Sequence, residues 1–154
     1  MIVKAFASWF SQALLVPTTL LAIGMGANSS ALAQCQLYKP IALPASNEVT
    51  DTLSEKDIPT GQGGFARDYV VQLNQGDNIA VDLSSDSFDA ILTLLSEDGS
   101  TVSENDDGPD GSTNALLFTR ITKTGKYIVR VRSFGETGVG AFKLKVTRLR
   151  PVQG

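Results

Sequence analysis

The chain predicts an all-β protein, an antiparallel β-sandwich of jelly-roll-like form with about eight strands. Three observations carry that expectation. Short runs alternate apolar and polar residues with a period of two, Gly/Asp/Asn/Ser turn signals recur between the runs, and no segment after the leader keeps a helical period.

EVTDTL is the first and weakest of these runs. ARDYVVQL sets Tyr69, Val71 and Leu73 on one face, and NQGD then turns the chain. In NIAVDL the residues Ile79, Val81 and Leu83 alternate with Asn78, Ala80 and Asp82. AILTLL is apolar on both faces, as a central strand covered on both sides must be. SEDGS contains Asp98-Gly99, a favoured hairpin pair, and a short strand over 101–104 follows it. ALLFTRI and the turn TKTG lead to KYIVRVRSF, with Tyr127, Val129 and Val131 opposite Ile128, Arg130 and Arg132. After GETGVG, the run AFKLKVTRL points Phe142, Leu144 and Val146 inward and Lys143 and Lys145 to water.

Residues 1–33 have the order of a secretory signal peptide: Lys4, an apolar core, then small residues ending in Ala31-Leu32-Ala33. Cleavage is expected before Gln34. A lipoprotein signal is the nearest competitor because Cys35 follows at once, but Gln34 stands where a small residue belongs. The expected plan is a signal peptide over 1–33, a flexible tail over 34–47, the sandwich over 48–150 and a C-terminal tail over 151–154. The protein is therefore expected in the periplasm or outside the cell, with no stable membrane insertion after cleavage. Lys4 apart, every charged residue lies in the exported part, which is one charge more negative than the −3 of the whole chain. Cys35 is the single cysteine. It is a free thiol or half of an intermolecular bond, so a Cys35-linked dimer is an expectation.

The chain has no histidine, which removes the usual general base and the commonest transition-metal ligand. No serine or cysteine has an activating partner of a familiar kind, and an enzyme is not expected. The acidic stretch SENDDGPDGSTN (103–114) offers different chemistry. Calcium takes six to eight oxygens from carboxylates, amides and carbonyls that converge in turns. Asn105, Asp106, Asp107 and Asp110 supply such oxygens within one loop, and Asp86 and Asp89 join them if the fold brings SSDSFD alongside. Position three from Asp106 is Gly108 and position twelve is Leu117, so the loop is no EF-hand. Solvated turns with Asx-type hydrogen bonds remain the competing explanation. Arg130, Arg132, Lys143 and Lys145 form a candidate basic face on two strands expected to be neighbours. Without interleaved aromatic residues it excludes a single-stranded nucleic-acid platform.

The order of these pieces resembles the bacterial pre-peptidase C-terminal domain. YVVQLNQGDNIAVDLSSDSFDAILTLLSEDGSTVSENDDG and GKYIVRVRSFGETGVGAFKLKV carry the likeness, which extends over about 48–149. The resemblance implies a small non-catalytic sandwich that follows secreted peptidases, with calcium and collagen binding in the collagenase relatives. It places Asp89 in the Phe-Asp step, Asn105, Asp106 and Asp107 in the acidic motif, and Tyr127 in the core. No peptidase accompanies the sandwich in this sequence. The expected function is thus an exported binding or accessory module that recognises an extracytoplasmic protein or an anionic polymer. The alternatives are a hydrolase with a carboxylate pair among Asp86, Asp89, Asp106 and Asp107, or a structural envelope or matrix component.

Overall fold

The computed structural model describes residues 38–61, 63–109, 111–135 and 137–150. The expected signal peptide, Cys35, Asp110 and the last four residues lie outside them. Among the described residues ten strands follow one another: β1 (Ile41–Ala42), β2 (Glu48–Leu53), β3 (Ile58–Pro59), β4 (Phe65–Leu73), β5 (Asn78–Ser84), β6 (Ala90–Ser96), β7 (Thr101–Asn105), β8 (Ala115–Arg120), β9 (Gly125–Ser133) and β10 (Gly140–Leu149). Among the described residues no helix is long and apolar enough to cross a membrane.

The strands form two sheets. One has the order β1-β4-β9-β6-β7, with β3 also pairing with β4, and the other has the order β2-β10-β5-β8. All pairings are antiparallel except β1 on β4. The period of two has its predicted result: Tyr69, Val71, Leu73, Ile79, Val81, Leu83, Tyr127, Val129, Val131, Phe142, Leu144 and Val146 all enter one core. Every residue from Ala90 to Leu95 is buried, as the doubly apolar run of β6 predicts. Across the core, the Tyr69 ring meets Phe142 edge-on at 6.2 Å, and Phe88 meets it at 6.3 Å.

The turns follow their residues. Asp77 N–H donates to Asn74 O while the Asp77 carboxylate accepts the Asn74 N–H, closing the β4–β5 turn. In the β6–β7 hairpin, Asp98 accepts the Ser96 hydroxyl and the Ser100 N–H at 2.6 and 3.0 Å. Gly99 supplies the left-handed φ of 84° that this turn requires.

Residues 38–47, read from sequence as part of a tail, are ordered by pairing. β1 lies along the β4 edge at Tyr69 and Val70, Leu43 N–H donates to Val70 O, and Leu43 packs against the core. The segment then crosses to the four-stranded sheet, where Val146 N–H donates to Asn47 O.

Candidate functional site

Strand directions gather the described residues of the loops that follow β3, β5, β7 and β9 at one end of the sandwich. Asp86, Asp89, Asp106 and Asp107 therefore share that end, and all four are exposed. Two contacts join the acidic loops: Ala90 N–H donates to Thr113 O at 2.9 Å, and Ser85 N–H to the Asn114 side-chain oxygen at 3.1 Å.

Asn105 clamps the base of the acidic stretch. Its Nδ2 donates to Asp107 O at 2.9 Å and to Leu116 O at 2.8 Å, while Leu116 N–H returns to Asp107 O at 3.0 Å. The first residues of SENDDGPDGSTN are thus a braced turn, with the Asp106 and Asp107 carboxylates left to solvent. Among the described residues no three acidic, histidine or cysteine side chains gather as a metal cluster. An ion at this end would draw on single carboxylates with amide and carbonyl oxygens, the ligand mixture that calcium accepts. A glycosidase-like pair would instead need one shielded acid to hold a proton at neutral pH. Exposure of all four carboxylates opposes that alternative.

The four cations expected on one face do not share one. Arg130 and Arg132 belong to β9 in the six-stranded sheet, and Lys143 and Lys145 to β10 in the other. Both strands alternate in the same way, and that similarity made them look like neighbours; sheet membership is set by long-range pairing that alternation does not encode. Each cation also meets a carboxylate: Arg130 meets Asp68, Arg132 meets Glu104, and Lys143 and Lys145 share Glu48.

Arg130 and Arg132 belong to a polar row that the sequence reading missed. Across the outer face of the six-stranded sheet the register aligns Asp68, Arg130, Thr93 and Glu104. Asp68 is fully buried at its side chain and accepts two 2.8 Å bonds from the Arg130 guanidinium. Tyr38 OH donates a third at 2.7 Å, and burial followed by this bond raises its hydroxyl to about 12. Farther along, Glu104 accepts from Thr93 at 2.7 Å and Arg132 at 2.9 Å, and these bonds hold its carboxyl below the usual range. The available signal was an aspartate in the middle of a strand, where that residue is disfavoured.

A second tie joins the sheets. Asp51 on β2 accepts the Tyr69 hydroxyl at 2.7 Å and pairs with Arg67, which also holds Asp57 at 2.8 Å. Burial works against the charge of Asp51, but bonds from Tyr69, the Thr52 N–H and Arg67 together hold its pKa down.

Asp51, Glu104 and Asp98 all have depressed folded-state values, Asp98 to about 2. Their contribution is fully present above the unfolded values near 4 and is lost as pH falls through the folded ones. The melting temperature is expected to hold down to about pH 5 and to drop steadily below about pH 4. A level or rising melting temperature in that acid range contradicts the assignment of these ties.

The Cys35-linked dimer is corrected. Cys35 is the chain's single cysteine, so the chain holds no internal disulfide, and it lies outside the described residues; a Cys35-linked dimer is not retained.

Residues 66–133 match the model of the bacterial pre-peptidase C-terminal domain, a narrower span than the sequence resemblance. No curated protein matches the chain. Among solved structures it is similar to the pre-peptidase C-terminal domain of a collagenase from Bacillus anthracis, with TM-score 0.55 and 12% identity over 71% of this chain and 95% of that one. It also aligns with PliG, a periplasmic lysozyme inhibitor of g-type lysozyme, from Aeromonas hydrophila, at TM-score 0.48 and 13% identity over 71% and 96% of the chains. For Salmonella Typhimurium PliG the TM-score is 0.44 at 13% identity, over 71% and 100%. The likeness to the collagenase domain is one of fold. From Ala66 to Ser133 the chain carries the pattern of the bacterial pre-peptidase C-terminal domain, set in a β-sandwich.

Proposed function

We propose that the protein is an exported, non-enzymatic recognition or accessory module whose acidic end binds calcium. One observation carries the first part. Asp51, Asp57, Asp68, Arg67 and Arg130, all partly or fully shielded, are held in ion pairs that tie strands to one another and, at Asp57, the β2–β3 turn to β4. Charge on the loops is displayed on a frame of paired strands, and the exposed Asp86, Asp89, Asp106 and Asp107 lack the shielding that a general acid needs. The leader-like residues 1–33 support export.

Calcium is supported by the convergence of two acidic loops and by four carboxylates without hydrogen bonds or ion pairs among the described residues. An ion that binds the folded loops and not the unfolded chain would stabilise the folded state. In calorimetric titration of the metal-stripped exported protein, calcium is expected to bind saturably and to raise the melting temperature. At a hundredfold excess over Kd the gain is about 2.7 kcal/mol. Asp106→Ala/Asp107→Ala should abolish both effects. Absence of heat and of any thermal shift would remove calcium and leave the loop as an Asn105-clamped turn. Hydrolysis of a glycan, lost in the same variant, would overturn the non-enzymatic assignment.

A further inference from the structure

The outer face of the four-stranded sheet carries an apolar patch beside an open strand edge. Phe118 and Leu149 are 61% and 44% exposed. In the register, Phe118 is level with Ala80 and Thr147, and the adjacent row holds Arg120, Asn78 and Leu149. Phe118, Leu149, Asn78 and Arg150 border a concavity of about 480 Å3.

β8 is the edge strand of this sheet. Leu116 turns its N–H to Asp107 and its carbonyl to Asn105, both away from β5. Alternation along an antiparallel strand directs the N–H and C=O of Phe118 and Arg120 to the same open side, where nothing among the described residues bonds them. Such an edge is a template for an added strand. Arg67, Arg130, Arg132 and Lys143 each hold a carboxylate. Arg120 and Arg150 are exposed, and neither enters an ion pair among the described residues.

We propose that the β8 edge and the Phe118–Leu149 patch form a docking surface for an extended acidic segment of a protein partner. The segment pairs with the backbone of Phe118 and Arg120, seats an apolar side chain beside Phe118 and Leu149, and sets carboxylates against Arg120 and Arg150. An anionic lipid surface would use the cations and the aromatic ring but would leave the edge amides unpaired, so the peptide fits the three features together. This assignment rests on reading the chain as a recognition module.

The test is amide NMR on the exported protein, titrated with a short synthetic peptide in which glutamate alternates with valine. A lysine-for-glutamate peptide and phosphatidylglycerol vesicles serve as comparison probes. The acidic peptide is expected to shift the Phe118 and Arg120 amides saturably. Affinity should fall about tenfold or more in Arg120→Glu/Arg150→Glu and also fall in Phe118→Ser, with both variants giving otherwise native spectra. Equal binding of the lysine peptide, vesicle binding at β8 without peptide binding, or no binding of the acidic peptide overturns the proposal. Shifts confined to the six-stranded sheet beside Arg132 overturn the β8 assignment while leaving the recognition reading intact.

Discussion

Asp68→Ala is expected to lower the unfolding free energy by about 3 kcal/mol, one of the two largest effects in the molecule. The carboxylate is fully buried, and its removal leaves the Arg130 guanidinium, whose side chain is 31% exposed, without its bidentate acceptor. That residual exposure keeps the figure at the low end for a broken buried pair. It also removes the acceptor of Tyr38, so the β1 segment loses its outermost tie. Tyr38→Phe removes one bond only, and its expected cost is about 1 kcal/mol. Asp68→Ala/Arg130→Met should recover most of the loss, because the methionine can pack beside Val70, Ile128 and Leu95 without a buried charge. Urea denaturation of the three variants checks the order. A single Asp68→Ala change as mild as Tyr38→Phe would show that the pair contributes little.

Gly140→Ala is the second, with an expected loss of about 3 kcal/mol. Gly140 opens β10 with φ of 141°, a conformation closed to L side chains, and an added Cβ would lie 2.3 Å from the Ser87 Cβ. Two costs coincide, backbone strain and overlap with the β5–β6 loop. They can be separated: Ser87→Gly relieves the overlap and leaves the strain. The double variant should therefore be more stable than Gly140→Ala alone, with a coupling of about 1 kcal/mol or more. Strict additivity would show that the loop moves aside freely.

Much of the fold was legible in the sequence because a half-buried strand must alternate. The residues from Tyr69 to Val146 that alternation aimed inward do form the core. Doubly covered β6 was legible for the converse reason. β1 and β3 were not, since two residues contain no period. Sheet membership was not legible either, and that separated Arg130 and Arg132 from Lys143 and Lys145. Within the candidate site, whether Asp86 and Asp89 would share an end with Asp106 and Asp107 stayed open in the sequence, because alternation along a strand does not say which loops lie together. The clamp by Asn105 and the burial of Asp68 depend on which strand lies alongside, which no local pattern records. The open edge of β8 belongs with them, because an edge is defined by the neighbour that is missing.

The side-by-side placement of β2 and β10 has a consequence for how the chain reaches this structure. Glu48 and Leu53 align with Lys145 and Gly140, so the earliest long strand is hydrogen-bonded to the last. β4 and β9 likewise meet across a wide sequence separation, with Asp68 opposite Arg130. Such high contact order makes folding slow, because the entropy of closing large loops is lost before the pairing energy returns. A chain emerging from its N-terminus cannot complete the four-stranded sheet until β10 arrives, and until then β2 and β5 present unmated edges. Completion of the four-stranded sheet therefore waits for β10, and removal of β10 is expected to leave both β2 and β5 without the neighbour that joins them.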